Sequence, residues 1–309
     1  MLATAEPVTI AINEKSAEHS LLGSKENLKV QNSLATSAVF HGVGVHSGKP
    51  VCMIVHPATV DHGIIFERTD IEDQPNRISA SWQNVKSTNM CTTLSNSNGI
   101  SVATVEHILA ALFGLGISNA LITIDGPEVP MMDGCSFNFC EGILEAGLVA
   151  QQKSRPFLTI KHPIKVENDY GYAELTPHAT NLFSVEFIPN DRFSTVASQQ
   201  FCQFSLLEDD FFENISKARS FGFFEDAQKL WAAGLAKGSS LDNTVVIHEG
   251  SIMNKDGLRY KDEFVRHKML DAVGDMALAE YTLIGHYKAC NPSHTLNHML
   301  LKAYFESLK

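Results

Sequence analysis

The stretch Glu263-Phe264-Val265-Arg266-His267-Lys268-Met269-Leu270-Asp271-Ala272-Val273-Gly274-Asp275 decides how this chain is read. It predicts a helix over 263–278, with Phe264, Met269, Leu270 and Val273 supplying the packing. His267 and Asp271 are four residues apart and share one helix face, which Asp275 continues a turn later. On its own an H-x-x-x-D pair is more often a surface hydrogen bond than a metal site. It can also offer one nitrogen and one oxygen to a single metal ion. A catalytic zinc takes three protein ligands and leaves a fourth position open, so this helix alone is not enough.

Working outward, a second polar pair interrupts an apolar helix pattern in the first half. Val105, Ile108, Leu109 and Leu112 fall at i, i+3, i+4 and i+7 and predict a helix. Ser101 or Thr104 is the expected cap, and Gly114 and Gly116 the expected end. The segment Thr104-Val-Glu106-His107 opens this helix. If His107 is a ligand, Glu106 sits close by without being one and can take a proton from a metal-activated water. The spacing is not H-E-x-x-H, which weakens a zinc-peptidase reading. A third piece, Asn291-Pro-Ser-His294, opens a final helix expected over 293–308. His294 is a candidate general acid, a role that needs a protonated imidazole with a carboxylate nearby; Asp275 is the candidate carboxylate.

Strands are expected at 51–55, 64–68 and 120–124, with a helix over 138–146. After a polar linker at 151–156 the strand-like pattern restarts at 157–160, 164–166, 172–175 and 183–188, and a helix is expected at about 223–233. Each half reads as strands, then a helix with unusual polar residues, then a closing helix. The fold class is therefore α+β, although no clear sequence repeat marks a duplication.

The 309 residues suffice for one large or two medium domains, and 44% hydrophobic content fits a real core. No apolar run reaches the roughly 18–20 residues of a membrane span. Residues 1–30 show no basic start followed by an apolar block, so no secretory signal is read and a loose tail over 1–33 is expected. The formal net charge of −11 argues against general nucleic-acid binding. Six scattered cysteines without a C-x-x-C pair fit free thiols in a reducing cytoplasm.

Taken together, these pieces resemble the UDP-3-O-acyl-N-acetylglucosamine deacetylases, which commit the bacterial lipid A pathway. The likeness runs from about Val39 to Leu301. It is carried by His41-Gly-Val-Gly-Val-His46-Ser-Gly48, Thr104-Val-Glu-His107, Glu128-Val-Pro-Met-Met-Asp133-Gly134 and Arg219-Ser-Phe-Gly-Phe223. Gly257-Leu-Arg-Tyr260, the run Asp262 to Asp275 and Ser293-His-Thr-Leu-Asn297 complete it.

The resemblance implies two similar α+β domains, 34–152 and 153–309, each a β-sheet layered against helices, with the active site between them. It assigns zinc, with Fe²⁺ as an alternative, to His107, His267 and Asp271. It implies amide hydrolysis with Glu106 as base, His294 supported by Asp275 as acid, and the Ser220 hydroxyl donating to the oxyanion. An insert at about 221–246 would line an acyl passage with Phe221, Phe223, Leu230, Leu241 and Val246. Lys268 would reach the phosphates, and His46 and Cys91 would belong to the same pocket. The implied partner is a small UDP-acylaminosugar, without nucleic acid or a stable membrane anchor, and the expected form is a cytoplasmic monomer. Asn291, where many relatives carry a basic residue, and Gly238-Ser239-Ser240, where Gly-Gly-Ser is usual, depart from the pattern. A deacetylase acting on another acylated sugar, or a non-catalytic relative, are the rival readings. The second would be expected to have lost Glu106, His294 or a ligand.

Overall fold

The computed structural model describes residues 29–309, so most of the tail expected over 1–33 lies outside the described residues. Its end is corrected. Val30–Leu34 forms strand β1, paired antiparallel with β10 (Leu148–Ser154). The same pairing overturns the linker expected at 151–156, because 151–154 are strand. β10 is largely exposed, so no apolar alternation marks it in the sequence.

The fold is α+β, as the sequence predicts. One five-stranded sheet has the spatial order β2 (Ala38–Val43), β3 (Pro50–Pro57), β9 (Ala120–Ile124), β4 (Ile64–Arg68), β5 (Arg77–Ser79). A second has the order β12 (Ile164–Asn168), β13 (Gly171–Thr176), β19 (Thr282–Cys290), β14 (Asn181–Phe187), β15 (Gln200–Ser205), and β11 (Phe157–Thr159) runs parallel to the start of β19. The two orders match. In each sheet the last strand in sequence inserts at the centre, antiparallel to the second strand and parallel to the third. Two smaller sheets are β6 (Val85–Ser87), β7 (Thr93–Ser95), β8 (Ser101–Val102) and β16 (Phe221–Phe223), β17 (Val245–His248), β18 (Ser251–Ile252).

The helices are α1 (Glu106–Gly114), α2 (Phe137–Ala146), α3 (Phe211–Asn214), α4 (Phe224–Ala232), α5 (Glu263–Ala277) and α6 (His294–Ser307). α1 is buried from Glu106 to Phe113, because it packs directly on α5. Gly274 permits this approach. A Cβ there would stand 2.9 Å from the carbonyl carbon of Glu106 and 3.2 Å from the Ala110 nitrogen. The absence of a side chain at Gly274 thus lets the two helices that carry the candidate ligands approach backbone to backbone.

Neither expected cap serves α1. Ser101 lies in β8, and the N-cap residue Val105 makes no side-chain cap bond. Thr104 instead adopts φ 59 and donates from Oγ1 to Glu128 Oε1 at 3.3 Å. A left-handed β-branched residue is a strained conformation of the kind that gathers at functional sites. α6 is capped conventionally by the Ser293 hydroxyl, which accepts from Leu296 N at 3.3 Å.

Candidate active site

α1, α5 and α6 bring the three sequence fragments to one point. His107, His267 and Asp271 each offer a ligand atom, and these atoms lie within 4.8 Å of one another. His107 Nε2 is 3.6 Å from Asp271 Oδ1, and His267 Nε2 is 3.6 Å from Asp271 Oδ2. Two ligands at zinc bond lengths of ~2.0–2.1 Å and a tetrahedral angle stand about 3.3 Å apart, so each histidine–aspartate pair is close to the spacing that one ion sets. His267 Nδ1 is 3.0 Å from the Ala218 carbonyl. Donation to that carbonyl fixes the tautomer whose Nε2 lone pair is free to coordinate. Asp271 Oδ1 is buried and has no hydrogen-bond partner among the described residues, as a ligand oxygen without its ion would be.

Burial lowers the His267 pKa and favours a neutral ring. His107 departs in the other direction: burial opposes a charge on it, but Asp271 and Glu106 outweigh burial and raise its pKa. Burial alone would also raise the Asp271 pKa, but the surrounding imidazoles outweigh it and hold the carboxylate ionised.

A carboxylate and an imidazole face each other beside this cluster. Glu106 Oε1 is 3.6 Å from His294 Nε2. The other Glu106 oxygen accepts from Thr92 N at 3.0 Å. His294 Nδ1 is 2.8 Å from Asp275 Oδ2, which also accepts from Asn297 Nδ2 at 2.8 Å. Thr92 Oγ1 donates to Asp275 Oδ1 at 2.7 Å, so one threonine ties both carboxylates. Burial raises the Glu106 pKa, only partly offset by His294 and His107. Burial opposes a charge on His294, yet Asp275 and Glu106 dominate and its pKa stands well above the ordinary imidazole value. The pair therefore suits a base that takes a proton and an acid that keeps one near neutral pH.

These residues open into a cavity of about 430 Å³. Ser220, Phe221, Phe223, Leu230, Val246, Lys268, His46 and Cys91 all line it, along with His107, His267, Asp271, Glu106 and His294. Ser220 Oγ is 3.2 Å from His267 Nε2, and its backbone N donates to Gly134 O at 2.8 Å. Lys268 Nζ donates to the Pro292 carbonyl at 3.0 Å, and burial lowers its pKa. His46 is placed by a loop whose backbone N–H groups, at His46 and Ser47, donate to the Glu128 carboxylate. Cys91 is buried, and its thiol pKa is raised by that burial, so it is no activated nucleophile.

One expectation shifts. Leu241 does not line the cavity. It is 45% exposed in the turn that leads back to β17, and its carbonyl accepts from Asn254 Nδ2. Asp275 stands buried behind His294, the position a supporting carboxylate needs. The insert itself is a β16–α4–β17 unit with parallel strands. Phe193, which lies outside the insert, completes its apolar side: its ring is 4.7 Å from Phe223 and 5.8 Å from Phe221. Asn291 sits at φ 46 and bonds both the N–H and the carbonyl of Ile188, an arrangement that fixes the turn into α6. Thr92, Phe193 and Gly274 were missed as site residues because each acts through tertiary contacts that no spacing rule reveals.

Two imidazoles and a carboxylate converging beside a buried acid–base pair, at the end of an apolar cleft, suit metal-assisted hydrolysis of an acylated substrate. The chain belongs to the UDP-3-O-acyl N-acetylglycosamine deacetylase (LpxC) family, whose model matches residues 31–306. Among its relatives, the UDP-3-O-acyl-N-acetylglucosamine deacetylase of Pasteurella multocida (strain Pm70) is 42% identical over 276 residues, covering 88% of this chain and 89% of the relative. The proteins of the same name from Geotalea uraniireducens (strain Rf4) and Histophilus somni (strain 129Pt) are 41% and 40% identical, over 88% and 90% of this chain and 87% and 90% of their own.

Proposed function

We propose that this chain hydrolyses the N-acetyl group of UDP-3-O-(3-hydroxyacyl)-N-acetylglucosamine, releasing acetate and the free glucosamine amine, the committed step of lipid A biosynthesis in the bacterial cytoplasm. The observation that carries this reading is the convergence of His107, His267 and Asp271 within 4.8 Å, beside a Glu106–His294 pair at 3.6 Å, in a chain of this family. We assign the three ligands to zinc, with Fe²⁺ as the alternative. When bound, the ion would polarise the acetamide carbonyl and lower the pKa of the attacking water.

The protein's own groups do the rest. Glu106, held by Thr92 N, accepts the proton of the attacking water. His294, kept protonated by Asp275, delivers a proton to the departing nitrogen. The Ser220 hydroxyl donates to the oxygen that gains charge. Phe221, Phe223, Leu230 and Val246 bound the side of the cavity suited to an acyl chain, and Lys268 offers its ammonium to the nucleotide phosphates. The site is assembled from both halves proposed from the sequence, with α1 from 34–152 and α5 and α6 from 153–309. Among the described residues no helix is long and apolar enough to cross a membrane, which is compatible with an enzyme that meets an amphiphilic substrate from the aqueous side. The test is acetate release from the UDP-linked substrate by the wild-type protein and by Glu106→Gln. Turnover should fall about 10²–10⁴-fold in the variant with metal content unchanged. A variant as active as the wild type would remove Glu106 from the base role.

A further inference from the structure

A second cavity, of about 370 Å³, lies at the opposite ends of α1 and α5 from the ligands. Leu109, Leu112 and Phe113 of α1 give it an apolar wall. Arg155 reaches the same cavity and is 6% exposed. Its guanidinium makes one hydrogen bond, from Nη1 to the Gly116 carbonyl at 3.3 Å, and lies 5.5 Å from the Phe113 ring centroid. Among the described residues it has no carboxylate at ion-pair distance, and burial alone accounts for a pKa lowered to about 10. Two further residues on the cavity carry unpaired groups: among the described residues the buried hydroxyls Ser118 Oγ and Thr282 Oγ1 have no hydrogen-bond partner.

The acids that also line the cavity are exposed to solvent. Asp61 pairs with Lys153 and Gln31, and Glu280 accepts from Ser81 Oγ at 2.6 Å and, among the described residues, has no cation at ion-pair distance. Since water screens the exposed Glu280, the buried charge left without a counter-charge is the Arg155 cation. The negative end of the α1 dipole compensates it only in part, through one long hydrogen bond. A buried guanidinium without an anion and two orphaned hydroxyls are each unfavourable, and one carboxylate would satisfy all three. We propose that this cavity is a second binding site, for a small amphiphilic carboxylate. Arg155, Ser118 and Thr282 hold its head, and its alkyl body lies on Leu109, Leu112 and Phe113.

The test is calorimetric titration of the full chain with hexanoate, hexylamine and hexanol. Arg155→Met and the double variant Ser118→Ala/Thr282→Val are the comparisons. Hexanoate should bind the wild type with a roughly millimolar dissociation constant, the range open to so small a ligand. Arg155→Met should abolish that component, and the double variant should weaken it about tenfold, for two lost hydrogen bonds. Hexylamine and hexanol should give no such component. Unchanged hexanoate heats in both variants would place the ligand in the main cavity and overturn the proposal. Absence of hexanoate binding in the wild type, or hexylamine binding in its place, would leave Arg155 as a cap on α1 and also overturn it. Should Arg155→Met fail to fold, the double variant decides, since Thr282→Val keeps the side-chain shape and removes a hydroxyl that bonds to nothing.

Discussion

Replacing Gly274 by alanine should damage the site while improving the local helix propensity. In a helix interior Ala is favoured over Gly by about 1 kcal/mol, so propensity alone expects a more stable protein. The packing contradicts it. The new Cβ would meet the Glu106 carbonyl oxygen most closely, with its carbonyl carbon at 2.9 Å and Ala110 N at 3.2 Å, all backbone atoms that no rotamer change can move aside. Ordinary contacts are about 3.5–4.0 Å between carbons and a little less to oxygen, so α1 must retreat from α5 by about 1 Å or more. Overpacking of this kind typically costs about 1–3 kcal/mol, and with backbone on both sides the upper end applies, leaving a net loss of about 2 kcal/mol. The shift falls on Glu106 and His107, the first residues of α1. Metal sites tolerate roughly 0.2 Å in ligand distance, and a misplacement of about 1 Å can cost on the order of 10²-fold in rate. Urea unfolding, zinc content and acetate release on Gly274→Ala are the assays. A variant with unchanged or raised stability and full metal would refute the idea that this contact sets the distance between the two ligand helices.

Three other outcomes follow from the site. Activity should need Glu106 deprotonated and His294 protonated, giving a bell-shaped pH profile whose acid limb is Glu106 and whose alkaline limb is His294. Asp275→Asn removes the carboxylate that favours the imidazolium, so the alkaline limb should move to lower pH; an unmoved limb would exclude Asp275 as the partner that tunes His294. Glu263→Gln should destabilise the fold by about 3–5 kcal/mol in urea unfolding, because it leaves the buried Arg219 guanidinium without its counter-charge, now paired at 2.9 Å. Ser220→Ala should lower kcat by about 10²–10³-fold with little change in KM, if its hydroxyl acts on the developing oxyanion; a rise in KM alone would place Ser220 in ground-state binding.

What could be read in the sequence was the part governed by local periodicity. α5 and α1 were legible because apolar residues at helical spacing surround polar ones that a surface helix would not place there. β4 and β9 were legible as short apolar runs. β19, the central strand of the second sheet, was not read. Its Gly285, His286 and Lys288 break the apolar pattern, although its burial alternates and Gly285 gives Ile160 room to pack closely. β1 and β10 escaped because their partnership is made by backbone bonds between polar segments: β1 is buried although it carries Gln31, Asn32 and Ser33, and β10 is largely exposed. At the site, spacing suggested His267, Asp271 and Asp275. Thr92, which joins Glu106 to Asp275, is separated from Asp275 by 183 residues and leaves no mark in a linear pattern. Leu241 shows the converse error, since apolar character within the insert does not say which residues face inward.

The most direct measurement is metal content against acetate release on one preparation. The protein would be stripped with a chelator and titrated back with zinc. One equivalent of zinc should restore full turnover in the wild type, while His107→Ala, His267→Ala and Asp271→Ala should each bind zinc at least tenfold more weakly. Undiminished acetate release from metal-free protein, or full zinc occupancy in all three variants, would contradict the assignment of His107, His267 and Asp271 as the ligands of a catalytic metal.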